Sequence, residues 1–341
     1  MAYLDDIFEQ PRALRRVVDA YAAEPFTDLP LLQNYDRVIL TGMGGSHFAN
    51  YYLWRQLLSA GHPVEWIRTD EILSQPALPS ETKTLVIAVS QSGLSGEVVA
   101  WVDVHSSADN IDVLAVTNNK DAERLTGAAR FVALIHAGPE ATVGTKTYLN
   151  TLAVNRLLGS ALTGADTAPV FDGLLATADA IGSYLDRDHR DDFGALIAAD
   201  ESATTKLIVG RGAAYGTAVQ GALIVKEAAK LHYEGISAGQ FRHGPLDLAD
   251  ERLLVWLMTD GDYMHEENAQ LVTDLRRFGA SVFTSGTDIA GATHIPIPEV
   301  PQGFEEFARI LPVELVNIPL AEAGGNAPGE FRHNDKITTK L

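Results

Sequence analysis

The chain has 341 residues, 46% of them hydrophobic, no cysteine and a formal charge of −19. That length accommodates two domains of ordinary size, no apolar run reaches the ~20 residues of a membrane span, and the negative charge argues against a nucleic-acid backbone as partner. The missing cysteines remove disulfides, thiolate metal ligands and a cysteine nucleophile, and fit a cytoplasmic protein.

The N-terminus, MAYLDDIFEQPRALRR, is acidic and amphipathic and has no signal-peptide core. Residues 3–22 predict one amphipathic helix that Pro11 breaks or restarts. Residues 37–40 predict a strand running into Gly42-Met43-Gly44-Gly45-Ser46 and then a helix. Glycines there let a ligand approach the backbone, and the helix start offers N–H donors to an anion. The turn by itself serves equally well as a simple strand–helix connection. It also suggests a dinucleotide loop, with Asp70 near the place of a ribose-binding acid, but His47 stands where the third glycine of G-x-G-x-x-G belongs.

TLVIAV (84–89) is a near-continuous apolar run, as expected of a strand buried on both faces. It leads into Ser90-Gln91-Ser92-Gly93-Leu94-Ser95-Gly96-Glu97 and another helix. Three hydroxyls and a glycine at a strand's carboxyl end form a phosphate cup, with the helix dipole favouring the charge. The plain alternative is a serine cap with a capping-box Glu97, which needs only one hydroxyl. DVLAVT (112–117) and FVALI (131–135) predict the next strands. After them come Ala137-Gly138-Pro139-Glu140 and Thr145-Lys146, where Lys146 is either a site residue or an ion-pair partner of Glu140. Residues 148–200 are helical in composition.

The pattern then repeats: LIVGRGAAYGTAVQGALIVKE is again strand, glycine turn and helix. Ala218, Ala222, Val225 and Ala229 mark one helix face. Glu227 lies late in that helix, and His243 follows in a loop marked by Gly239, Gly244 and Pro245. A carboxylate and an imidazole suit 1,2-proton transfer on a small polar molecule. From spacing alone, Glu227 reads first as a surface partner of Lys226 or Lys230, and His243 also reads as a hydrogen-bonded turn histidine. The second copy has no phosphate loop. Its strand LLVWLMT ends in Asp260-Gly261-Asp262, which repels phosphate, so one cup per chain is expected. Those acids read as loop or cap residues before metal ligands. SVFTSG and THIPIP predict the last strands. Pro312 and Pro319 are expected to interrupt the helix after them, and Lys336 lies in a polar tail.

Taken together, K-E, E-x-x-x-A-G and H-G-P-L within KEAAKLHYEGISAGQFRHGPLDLAD resemble the sugar isomerase (SIS) domain family. The chain looks like the isomerase half of glutamine–fructose-6-phosphate aminotransferase and its stand-alone isomerase, deaminase and deglycase relatives. Glu9-Gln10-Pro11 matches the start of that half. Ser90, Gln91, Ser92 and Ser95 match the ligands of its phosphate loop, S-x-S-G-x-T, with Ser95 for the threonine and Leu94 for the more usual acid. Gly42, Met43, Gly44 and Ser46 match the turn lining the sugar pocket, in a spelling closer to the glucose- and mannose-phosphate isomerases. The A-G-x-E…T-K segment, one residue shorter here, places Val143 and Gly144 against the sugar.

The resemblance implies an α/β fold of two tandem SIS domains, each a parallel sheet sandwiched by helices. The expected division is a helical segment (1–34), a first domain with the phosphate loop (35–185), a second with Glu227 and His243 (186–325), and a tail (326–341) closing over the site. It implies an aldose–ketose isomerase for a C6-anionic hexose, phosphate or sulfonate, with Glu227 moving the C1/C2 proton, His243 opening the ring and Lys336 polarising the carbonyl or forming a Schiff base. A homodimer is implied, with His243 reaching across the interface, and neither cofactor nor metal is expected. An amino-sugar-phosphate deaminase, a deglycase and a non-catalytic sugar-phosphate-binding protein are the alternatives. Gln220 and Ile224 replace a glutamate and a lysine of the aminotransferase. Its glutaminase half has no counterpart in this sequence, so glucosamine-6-phosphate synthesis from glutamine is not expected.

Overall fold

Pro11 divides the N-terminal helix. α1 (Ala2–Phe8) ends before it, and α2 (Gln10–Ala23) restarts with the proline in its first turn, where a missing N–H costs no hydrogen bond. The computed structural model describes residues 2–26, 28–74, 81–333 and 335–340. Two compact units result. One comprises Glu9–Leu175 together with Phe331 to the chain end; the other comprises the chain up to Phe8 together with Ala176–Glu330.

In the first of these, β1 (Arg37–Gly42) feeds α3 (Gly44–Ser59), and β2 (Glu65–Trp66) feeds α4 (Thr69–Leu73). Then follow β3 (Thr84–Val89), α5 (Gly96–His105), β4 (Ile111–Thr117), α6 (Glu123–Thr126), β5 (Phe131–Leu134) and α7 (Lys146–Thr163), with α8 (Ala168–Leu185) leading out. The strands are all parallel, in the order β2-β1-β3-β4-β5. All six residues of β3 are buried, because helices cover both faces. Ile39, Val86, Val113, Trp101 and Leu125 form the core on one side. The chain leaves β1 towards β2 and returns at β3, so the crevice beyond β1 and β3 is the topological switch point where open α/β sheets bind ligands. Asp70 does not end a strand, as the dinucleotide reading required. It lies in the first turn of α4, bonded to Arg68 at 3.1 Å.

The other unit repeats the plan. It contains α9 (Arg190–Ser202), β6 (Thr205–Gly210), α10 (Ala214–Ala228), β7 (Glu234–Ser237), α11 (Ala238–Arg242), β8 (Leu253–Met258) and α12 (His265–Arg277). β9 (Ser281–Ser285), β10 (Thr293–His294), α13 (Glu305–Arg309) and α14 (Leu311–Ala323) complete it. Its parallel sheet runs β10-β9-β8-β6-β7, the same order with the same switch point, now between β6 and β8. Pro312 starts α14, whereas Pro319 lies inside that helix and does not interrupt it, contrary to the sequence expectation. Ala218, Ala222, Val225 and Ala229 are all buried, as their spacing requires. Among the described residues, no helix is long and apolar enough to cross a membrane.

Candidate active site

Both glycine-marked loops stand at the first switch point. Gly42 ends β1 flush against β3; a Cβ there would meet the Val89 carbonyl oxygen at 2.8 Å. Gly44, at φ 51°, turns the chain through Met43 into α3, with Ser46 in the first helical turn. Opposite, β3 ends at Val89 and Ser90 opens the next loop. The Ser90 and Ser95 hydroxyls lie 2.9 Å apart, and Ser92 Oγ accepts the Leu94 N–H at 3.2 Å. Ser95 occupies the N-cap position of α5, yet its hydroxyl caps no helix N–H. The capping explanation of these serines therefore fails, and the hydroxyls gather at the positive end of a ten-residue helix. The loop is braced from behind. Asn119 Nδ2 donates to the Ser92 carbonyl at 3.0 Å, and the Gln91 carbonyl accepts from the Asn118 N–H at 2.9 Å and from Thr117 Oγ1 at 3.3 Å.

Glu140 is the hub beside this loop, and sequence reasoning missed it. Its side chain is fully buried. Oε1 accepts the N–H groups of Thr145 at 2.9 Å and Thr147 at 3.1 Å, at the start of α7, and Oε2 accepts the Thr147 hydroxyl at 2.6 Å. Val143 is buried within this turn, and Gly144 lies next to Thr147. Lys336 Nζ joins the same hub. It donates to the Glu140 carbonyl at 2.6 Å, to Glu140 Oε2 at 3.0 Å and to the Thr142 carbonyl at 2.7 Å. Two residues on, the Thr338 carbonyl accepts the Gly96 N–H at 3.0 Å, at the first turn of α5. The tail thus packs on the serine loop and on the 140–146 turn of its own unit.

Lys146 is structural, but Glu140 is not its partner. Its Nζ lies 2.6 Å from Glu9 Oε2; the lysine side chain is 2% exposed and the glutamate 22%. Burial works to raise the Glu9 carboxyl, but hydrogen bonds from Lys146, Arg12 and Arg16 outweigh it and hold it down at about 2. Glu9→Gln, which strips a buried ammonium of this partner, is expected to cost about 2–3 kcal/mol in urea unfolding. Lys146→Met should cost less than about 1 kcal/mol, since Glu9 keeps water and two arginines. The Glu9 contribution is complete above the ordinary carboxyl value near 4.5 and lost as pH falls towards 2. Glu9→Gln should remove that acid dependence.

His47 stands where a dinucleotide loop would carry its third glycine. Its ring is buried and stacks on Trp66 at 4.4 Å. Burial pushes the imidazole down to about 4; Arg68 adds to this and Asp70 opposes it. The unfolded chain therefore takes up this proton first, and stability should fall between pH 6.5 and 4. His47→Phe should flatten a pH series of Tm over that window, an effect of up to about 3 kcal/mol.

The other unit carries Glu227 and His243. Glu227 is half-buried in the last turn of α10. Lys230, whose φ is 63°, donates through Nζ to the carbonyls of Glu227 and Glu330, and the Gly329 N–H donates to the Ala228 carbonyl at 3.2 Å. The chain preceding the tail is thereby fastened beside Glu227. His243 closes α11, which Ser237 caps through the Gln240 N–H at 3.2 Å. Buried Phe241 and an Arg242–Asp274 pair at 3.0 Å hold this short helix. Gly244, at φ 131°, then reverses the chain as only glycine readily does. The His243 imidazole is exposed and makes no hydrogen bond among the described residues, so it is not a bonded turn histidine. Among the described residues no three His, Asp or Glu side chains gather as a metal site.

Comparison with known proteins bears on the family and the fold. The SIS domain family model matches residues 31–161 and 202–290. The isomerizing glutamine–fructose-6-phosphate aminotransferase of Pyrococcus horikoshii is 29% identical over 98% of this chain and 57% of its own length. The chain therefore spans little more than half of the curated relatives it matches. Among solved structures, glucosamine-6-phosphate deaminase from Thermotoga maritima superposes with a TM-score of 0.72 at 21% identity, covering 99% of both chains. Tagatose-6-phosphate ketose/aldose isomerase from Escherichia coli gives 0.75 at 22% identity, covering 96% of this chain and 94% of that one. At such identities the two structures share the fold.

Proposed function

We propose that this chain, which belongs to the SIS domain family, is an aldose–ketose isomerase of a hexose bearing an anion at C6. The observation that carries the reading is the cluster of Ser90, Ser92 and Ser95 at the switch point, with two hydroxyls turned to each other at a helix start and neither spent on capping. Those hydroxyls, with Gln91 and the Gly42–Ser46 turn, would take the C6 phosphate or sulfonate and hold the sugar. His243 would open the ring by carrying the proton between O5 and O1. Glu227 would take the proton from C2 of the aldose and return it to C1, through an enediol, while the hydroxyl proton passes from O2 to O1. Atoms and electrons balance without a cofactor. Lys336 would polarise the carbonyl. The exposed, rigidly mounted His243 fits delivery to a second copy of the chain in a homodimer.

The test is solvent exchange. Each of a panel of phosphorylated, aminated and sulfonated C6 sugars is incubated with enzyme in D2O and followed by NMR. Deuterium at C1 or C2 of one of them supports the proposal, and the same samples report ammonia if the reaction is a deamination. No exchange with any member, or thermal stabilisation by NAD or NADP alone, overturns it.

A further inference from the structure

The two sheets place matching loops at matching positions. Gly42 pairs with Val89 in one register and Gly210 with Met258 in the other. Ser90 and Thr259 therefore correspond. Each donates its backbone N–H to the next strand, Ser90 to Val116 at 3.0 Å and Thr259 to Ser285 at 2.9 Å. Each loop enters a helix at the same offset, 90 to 96 and 259 to 265. Between these points the serines are gone: Gly261 stands for Ser92 and Met264 for Ser95.

Asp260 stands for Gln91, and it is not a bystander. Its Oδ2 accepts the Ala213 N–H at 3.1 Å, at the start of the fifteen-residue α10. Its Oδ1 accepts Arg309 Nη1 at 3.1 Å. Arg309, on α13, is 1% exposed, and Nη1 also reaches the Thr259 carbonyl at 3.4 Å. Its Nε and Nη2, the side-on edge that a carboxylate or phosphate bridges with two parallel bonds, have no partner among the described residues. Buried donors are nearly always satisfied. A helix start, a buried guanidinium with donors to spare and a carboxylate joining them make the chemistry of an oxyanion site.

We propose that the second switch point is an oxyanion site which the chain fills with its own Asp260. The Asp260 carboxylate takes the place of a ligand's anion, so only the serine loop of the first unit remains to bind the sugar's. The one-ligand stoichiometry rests on the proposed function; the site itself does not.

Asp260→Ala leaves room for a formate ion against a buried cation. Its Tm is expected to fall by roughly 5–10 °C. Sodium formate at tens of millimolar should recover about half of the loss, by mass action on the folded state alone, and sodium chloride at equal ionic strength should not. Inorganic phosphate extends the series to a ligand-sized anion. Asp260→Ala/Arg309→Met should be more stable than the single variant and indifferent to formate. If the single variant does not fold, the double variant must; a double variant that also fails overturns the proposal. So does a single variant as stable as the parent, one that answers chloride as well as formate, or two sugar phosphates bound per parent chain. Formate rescue without any sugar-phosphate binding would count against the functional reading alone, and sugar-phosphate binding without formate rescue against this site alone.

Discussion

Glu227→Gln is expected to lower kcat about a thousand-fold and to leave the affinity for the sugar phosphate within about two-fold. The substitution keeps the side chain's size, but it removes the charge and turns one acceptor oxygen into an N–H donor, so the group can no longer take up a proton. Glu227 sits on a helix whose opposite face, Ala218, Ala222, Val225 and Ala229, is locked in the core. Its backbone carbonyl is held by Lys230, and the neighbouring Ala228 carbonyl by Gly329. A change at the carboxylate should therefore not move the helix. Deuterium exchange at C1 should vanish with turnover, since both need the same proton transfer. A sugar-phosphate-binding protein without catalysis predicts something else: unchanged binding, and no exchange in the parent chain either. Retained turnover in Glu227→Gln would assign the base elsewhere, and His243→Asn would be the next variant to measure.

How much of this was legible in the sequence depends on the distance over which each feature is determined. Buried parallel strands are near-continuous apolar runs, so TLVIAV and LLVWLM declared themselves, and the glycine turns after β1 and β6 followed from their neighbours. The serine loop was legible because its hydroxyls are adjacent in the chain. Ion pairing was not. Lys146 lies six residues from Glu140 yet pairs with Glu9, because Glu140 is already spent on Thr145, Thr147 and Lys336. Lys336 is 196 residues from Glu140, a separation that no local pattern spans. The clues existed in Glu9-Gln10-Pro11 and Ala137-Gly138-Pro139-Glu140, but composition does not say which acid meets which lysine. Pro319 misled for a related reason: inside α14, with Val316 and Leu320 buried on either side, tertiary packing outweighs the missing N–H. Asp260 read as a loop or cap residue, and nothing near it in the chain announced Ala213 or Arg309.

Lys336→Met is expected to reduce kcat/KM roughly a hundred-fold, the size of effect seen when a donor to a developing oxyanion is lost. In the folded chain its ammonium already has three acceptors, all on the 140–142 turn. All three of its N–H donors are spent there, so one has to swing from that turn to the substrate oxygen, and the loss should appear in kcat more than in KM. Gly96→Ala probes the same docking from the other side. A Cβ on Gly96 would stand 2.9 Å from the Thr339 carbonyl oxygen and 3.0 Å from its carbon, so the tail must lift off. Gly96 has no unusual φ, and α5 itself tolerates the alanine. Gly96→Ala should therefore match a deletion of residues 335–341 in activity, and combining the two should cost nothing further, because both undock the same tail. Inorganic phosphate affinity should survive in the deletion, since Ser90, Ser92 and Ser95 lie outside the tail. Additive losses would mean that Gly96 acts on the serine loop directly, and full activity in the deletion would leave Lys336 a structural lysine.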